Sequence, residues 1–317
     1  MSKKTVVITG ATGLLGREVV HTFKLQGWNV KGTGYSRADG VDVLKVDIGN
    51  QGEVSKLLDD VKPQAIIHCA AERSPDKVDK DPEGAKAVNV GASAHIAKEA
   101  AARDIFLIYI STDYVFPGVP GDAPYEVDAA PKPTNLYGET KLDGERAVLQ
   151  EFTKAGKEGL AVSLRVPVLY GHAHMPGESA VNVLMDAVWK AQTQGEHIKM
   201  DHWAQRYPTN TQDVARVCQD IAIKYLESTD RKSLPRILQF TSEDKMTKYE
   251  ICQLFADIMN LPVTGIEANT AGNDPNASVQ RPYDTHLSTK ELKALGIDVS
   301  TINFTDWWRR EVKAFKR

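Results

Sequence analysis

Six short runs of apolar and β-branched residues alternate with longer helical stretches along the first half of the chain, and no other feature constrains the fold as much. Thr5–Thr9, Asn29–Gly34, Val43–Val46, Ala65–Cys69, Ile105–Ile110 and Ala161–Val166 read as strands. Helical patterns fill the intervals: one from a glycine-rich turn to about Leu25, the others at 51–61, 83–103 and 135–151. Strands that are apolar throughout need cover on both faces, which is the condition of a parallel sheet. The expected fold is therefore α/β, a doubly wound parallel sheet whose ligands sit beyond the carboxyl ends of its strands. After about residue 170 the rhythm loosens. Residues 178–194, 212–226, 247–259 and 301–315 read as helices, with short strands near Ile198 and at 237–240. We expect residues 1–170 to carry the main sheet. Residues 171–317 then form a smaller α/β lobe over its ligand edge, with the chain free to cross between the two.

Composition narrows the function classes. Lys plus Arg number 39 against 42 Asp plus Glu, a net charge of −3, so no basic excess exists to hold a nucleic acid. Cys69, Cys218 and Cys252 are an odd set without CxxC spacing, and each sits in an apolar segment. They read as small buried hydrophobes in a reducing compartment. The apolar run near the N-terminus is too short for a signal-peptide core, and no stretch approaches a membrane span. The expectation is a cytoplasmic globular protein with no membrane contact.

The turn after the first strand is Gly10-Ala11-Thr12-Gly13-Leu14-Leu15-Gly16. A pyrophosphate needs backbone N–H groups at a helix N-terminus and no side chain in its way. Gly10 and Gly13 allow the turn and the close approach, and Gly16 lets the helix pack on the strand. Thr12, Leu14 and Leu15 then belong to the same cofactor cradle, and the sheet is expected to be a Rossmann domain. The end of the second strand selects the cofactor. NAD sites place an acid there for the ribose 2′-hydroxyl, whereas this chain has Gly32-Thr33-Gly34-Tyr35-Ser36-Arg37. Arg37 can pair with a 2′-phosphate and Ser36 can donate to it, so NADP(H) is favoured over NAD(H).

Tyr137 and Lys141 are four residues apart in a helical segment and project from one face. A phenol is a poor proton carrier near neutrality unless a cation stabilises its anion, which Lys141 can do while also holding a cofactor ribose. Ser111 and Thr112 follow the fifth strand, at the ligand edge, where a hydroxyl can polarise a carbonyl.

Together these motifs resemble the extended short-chain dehydrogenase/reductase superfamily, whose hydroxyl-to-Tyr spacing selects Thr112 over Ser111. More closely, STDYVF at 111–116, NLYGETKLDGE at 135–145 and RP at 281–282 resemble the dTDP-4-dehydrorhamnose reductase family. Within it, several stretches are similar to the branch of methionine adenosyltransferase β (regulatory) subunits: TGATGLLGR at 9–17, HCAAER at 68–73, MDHWxQRxPT at 200–209, MTKYE at 246–250 and NLP at 260–262. The resemblance runs from residue 5 to roughly 297.

The resemblance implies further sites. Cys69, Ala70 and Ala71 line the cofactor, Asn89 organises the site, and Pro167 to Leu169 lie beside the nicotinamide. His202, Trp203, Gln205, Arg206 and Arg281 fall where relatives meet a nucleotide-sugar. An aromatic ring for base stacking and arginines for a diphosphate suit that ligand. The family's β subunits extend at both ends of this core and meet the catalytic subunit through the C-terminal extension. This chain starts at the first strand and stops soon after DWWRR, which weighs against that contact.

Two functions remain. One is an NADP-binding, non-catalytic partner of a methionine adenosyltransferase catalytic subunit. The other is an NADPH-dependent reductase of a 4-keto-sugar nucleotide, with Thr112, Tyr137 and Lys141 as its catalytic residues. His172 and His174 lack a third ligand at a useful spacing, so no metal is expected. Asp113 is expected to fix its loop, and Glu72-Arg73 reads equally as ligand contact or exposed pair. The cationic end of the last helix reads as complementing the helix dipole.

Overall fold

The computed structural model describes residues 3–193 and 197–314. In chain order the first half contains β1 (Thr5–Thr9), α1 (Leu14–Leu25), β2 (Asn29–Gly34), β3 (Val43–Lys45), α2 (Gln51–Val61), β4 (Ala65–His68), α3 (Pro75–Lys80), α4 (Pro82–Lys86), α5 (Ser93–Ala102), β5 (Phe106–Thr112) and α6 (Leu136–Lys154). The second half contains β6 (Ala161–Val166), β7 (Leu169–Tyr170), α7 (Val183–Thr193), β8 (Ile198–Asp201), β9 (Thr209–Asn210), α8 (Thr211–Glu227), β10 (Ile237–Gln239), α9 (Lys248–Met259), β11 (Ile266–Asn269), α10 (Lys290–Ala294) and α11 (Phe304–Glu311).

Seven strands form one parallel sheet in the order β10-β6-β5-β4-β1-β2-β3. The winding reverses at β1, which pairs with β2 on one side and β4 on the other, so a crevice opens beyond their carboxyl ends. Successive residues of a strand point to opposite faces. Val6, Ile8, Phe106 and Ile108 therefore pack with Val19 and Phe23 of α1 and Val214, Val217 and Ile221 of α8. Val7, Ile66, Leu107 and Tyr109 meet Leu57 of α2, Ile96 and Ala100 of α5, and Val148 and Phe152 of α6 on the other face.

A separate apolar cluster joins α7, α9 and α11 through Leu184, Val188, Ile251, Phe255, Phe304, Trp307 and Trp308, with Tyr170 among them. The Tyr170 ring lies 4.8 Å from Phe304 and 5.2 Å from Trp307. Both Trp307 and Trp308 are buried. Between these elements the chain returns to the large sheet: α8 packs on α1, and β10 extends the sheet beside β6. Two small parallel pairs, β8 with β11 and β7 with β9, complete the second half.

Element ends moved for identifiable reasons. The helix expected at 83–103 is three consecutive segments, with a π turn at Ala87–Ala92 between α4 and α5; such turns gather at functional sites. Strand β5 runs on to Thr112 because its pairing with β6 continues through Ser111 and Thr112. Helix α7 begins at Val183 and not at 178, because Pro176–Glu178 makes its own turn and Ser179 Oγ accepts from the N–H groups of Val181 and Asn182. Asn303 caps α11, which starts later than expected; Gln194 and Phe315, where two expected helices end, lie outside the described residues. Among the described residues no helix is long and apolar enough to cross a membrane.

Candidate functional site

The loop from β1 to α1 is a cradle because its glycines leave no alternative. Gly10 has φ of +65°, and a Cβ there would stand 2.8 Å from the Ala70 nitrogen. A Cβ on Gly16 would stand 2.1 Å from the Gly10 carbonyl oxygen. The loop is thus pressed against Cys69 and Ala70 at the end of β4, where Ala70 N–H donates to Thr9 Oγ1 at 3.3 Å. Gly13 caps α1 without a side-chain hydrogen bond, and the first turn carries no acid. That leaves a bare helix N-terminus at the crevice, formed by Thr12, Gly13, Leu14 and Leu15, which fits a pyrophosphate.

Ser36 and Arg37 are exposed just past the end of β2. Sequence reasoning missed the partner that Arg37 finds. Its guanidinium pairs with Glu178, which also takes two hydrogen bonds from Arg17 at 2.6 and 3.1 Å and one from His174 N–H at 3.0 Å. Burial works to raise the Glu178 carboxyl, but Arg17, the His174 amide and Arg37 together hold it down to about 2. Arg17 is further bonded to the Thr12 and His172 carbonyls at 2.8 and 3.3 Å, and Arg73 donates to the Gly177 carbonyl at 3.2 Å.

The hydroxyl and phenol singled out from the sequence meet. Thr112, the last residue of β5, lies beside the Tyr137 hydroxyl, and its Oγ1 donates to Asp113 Oδ1 at 3.1 Å and accepts from Tyr114 N–H at 3.3 Å. Asn135 caps α6 by accepting from Gly138 N–H, which fixes Tyr137 in the first turn. Burial pushes the phenol above its usual range, so it stays protonated. Lys141, one turn on, is 3% exposed and lies 4.1 Å above the Tyr109 ring. Burial, opposed by Glu145 and Cys69, lowers its amine to about 7. Asp113 does fix its loop, through Thr285 Oγ1 and Thr112, but burial also lifts its carboxyl to about 6.

Asn89 is wholly buried on the π turn; its amide spans the Glu72 backbone N–H and carbonyl and reaches Thr140 Oγ1 at 3.1 Å. Pro167 to Leu169 leave β6 at the same edge, with Thr209 N–H donating to Val168 O and Ser179 Oγ to Leu169 O. His172 pairs with Glu311 at 2.9 Å.

The residues expected to meet a nucleotide-sugar form a second cluster. Trp203 stands 5.1 Å from the Tyr283 ring, His202 bonds Thr247 Oγ1 at 2.9 Å, and Gln205 N–H donates to Tyr283 O at 2.7 Å. Arg206 is 7% exposed and its Nη2 has no hydrogen-bond partner, the Asp201 carboxylate standing 3.6 Å away. Arg281 bonds Asp76 of α3 at 3.1 Å. Lys248, which the sequence did not single out, completes the group. Burial, then the nearby Arg206 and Arg281 charges, lower its amine to about 8, against the pull of Asp201 and Asp76. Three cations and two carboxylates leave an excess positive charge in a part-buried cluster, which suits an anionic ligand.

A seven-stranded parallel sheet with this glycine loop, and a hydroxyl, phenol and lysine at its carboxyl edge, is a Rossmann-like α/β fold. The chain belongs to the family described as RmlD substrate binding domain, which matches residues 4–316. It is 44% identical over 298 residues to methionine adenosyltransferase 2 subunit beta of Xenopus tropicalis, covering 94% of this chain and 84% of that one. Among solved structures it resembles dTDP-4-dehydrorhamnose reductase of Bacillus anthracis in complex with NADP, with a TM-score of 0.78, 21% identity and 98% of each chain covered. It also resembles MoeE5 in complex with UDP-glucose and NAD, with a TM-score of 0.76, 20% identity and coverage of 97% and 99%. At those identities the two structures speak for the fold alone.

Proposed function

We propose that this chain is a nicotinamide-dinucleotide-binding protein of the methionine adenosyltransferase β-subunit type, and that it associates with a methionine adenosyltransferase catalytic subunit to regulate S-adenosylmethionine synthesis in the cytoplasm. The observation that carries this reading is the 44% identity to such a subunit across 94% of the chain. The cofactor cradle is Gly10, Thr12, Gly13, Leu14, Leu15 and Gly16, with Cys69, Ala70, Ala71, Asn89, Pro167 and Leu169 along its walls. Ser36 and Arg37 supply the preference for NADP(H), since β2 itself ends without the acid that would hold a ribose 2′-hydroxyl.

The test is co-purification with the catalytic subunit, with and without NADPH. A stable complex with altered catalytic kinetics supports the regulatory reading. Failure to form a complex, by a chain that does bind NADPH, overturns it.

A second reading is favoured by the placing of Thr112 beside Tyr137 and by the cationic cluster around Arg206. Bound NADPH would supply a hydride to the carbonyl carbon of a 4-keto-sugar nucleotide. Tyr137, kept protonated by burial, gives the carbonyl oxygen its proton, while Thr112 orients that oxygen. Lys141 holds the cofactor ribose, and its charge favours the phenolate left behind. Arg206 and Arg281 take the ligand's diphosphate, Trp203 its base, and His202 and Gln205 shape the pocket. A screen of keto-sugar nucleotides for NADPH oxidation tests this reading.

A further inference from the structure

We infer that Glu178 is a built-in rival of the cofactor's 2′-phosphate, and that it sets how strongly the chain prefers a phosphorylated over an unphosphorylated dinucleotide. The inference rests on the dinucleotide reading above and names the residue that tunes it. Glu178 lies 141 positions from Arg37, in the turn before α7, yet its carboxylate bonds both Arg37, just past β2, and Arg17 of α1.

The bonding decides how the three groups divide. Arg17 gives Glu178 two hydrogen bonds and spends its remaining Nη bonds on the Thr12 and His172 carbonyls. It is saturated. Arg37 touches Glu178 through Nη1 alone and is half exposed, so its outer edge is the part free for a phosphate. Two guanidiniums less one carboxylate leave a single positive charge for a group carrying nearly two negative ones. A phosphate that reaches Arg37 also arrives beside the carboxylate sharing it, and like charges a few ångströms apart repel. Held ionised down to about pH 2 and 8% exposed, Glu178 cannot relieve that repulsion by taking up a proton at ordinary pH or by swinging into solvent. An unphosphorylated dinucleotide carries no group to contest the site, so its affinity is indifferent to Glu178.

The test is fluorescence titration of the full chain with NADPH and with NADH, for the wild type, Glu178→Gln, Glu178→Asp, Arg37→Met and the Glu178→Gln/Arg37→Met double variant. Gln keeps the shape and some of the Arg17 bonding, and thermal melts verify that each variant folds. Removing the charge should tighten NADPH about three- to tenfold at moderate salt and leave NADH unchanged. Asp, which keeps the charge, should stay near the wild-type ratio, and the Gln gain should shrink when Arg37 is already Met. An unchanged or lowered NADPH-to-NADH preference in Glu178→Gln overturns the inference, as does an Asp variant that behaves like Gln. If the folded wild type binds neither nucleotide, the dinucleotide reading itself fails and takes this inference with it.

Discussion

Arg281 reaches Asp76 across the cleft at 3.1 Å, joining the last long loop to α3 on the sheet side of the ligand edge. The pair is partly exposed, so on its own it contributes at most about 1 kcal/mol of stability. Its value lies in holding a guanidinium beside Arg206 and Lys248. We expect Arg281→Met to leave the unfolding midpoint nearly unchanged and to weaken binding of a nucleoside diphosphate sugar by about tenfold or more. Calorimetric titration against a thermal melt separates the two effects; a large loss of stability with intact binding would contradict this assignment.

Arg165 and Glu145 form a different kind of pair, 1% and 2% exposed, bonded at 2.6 and 3.1 Å with Ser163 donating to the same carboxylate at 2.8 Å. Breaking such a pair strands a buried charge. Glu145→Ala should cost about 3–5 kcal/mol in urea unfolding, while replacing both residues with apolar ones of similar volume should recover much of it.

Gly16→Ala places a methyl group 2.1 Å from the Gly10 carbonyl oxygen, a backbone atom that cannot rotate away. The cradle must open, at about 1–3 kcal/mol of stability. Dinucleotide affinity should fall more steeply than stability, which equilibrium titration beside chemical denaturation would reveal.

The Lys141 amine sits at about 7 in the folded chain, against 10.5 when free. Between those values the unfolded chain binds more protons than the folded one, so stability rises with pH through that window and the gain is absent below it. From pH 7 to pH 9 the wild type should gain about 2 kcal/mol relative to Lys141→Met in guanidinium unfolding. Parallel curves for the two proteins would mean that burial does not lower the Lys141 amine in the folded chain.

Much of the site was legible because it is built from local patterns. The glycine spacing, the Tyr137–Lys141 step and the hydroxyl after the fifth strand each lie within one element or its end. Thr112 and Tyr137 meet because β5 and α6 bring two such ends to one edge of the sheet. Lys248, although inside the MTKYE stretch, was not singled out for the opposite reason: it lies in the first turn of an ordinary capped helix, and its approach to Arg206 and Arg281 is tertiary. Glu178 was read as the start of a helix, and only the turn at Pro176–Glu178 turns its carboxylate toward Arg17 and Arg37.

By itself the sequence determined the alternation of strand and helix, the parallel sheet and the glycine turn into α1, because each follows from residues that are neighbours along the chain. Tertiary structure decided the pairings that cross it: Arg37 with Glu178 across 141 positions, and Arg281 with Asp76 across 205. It also decided the return of α8 and β10 to the large sheet. A charge on a loop is neutral as to partner until packing brings another within a few ångströms, and that packing is set by apolar faces far from either charge.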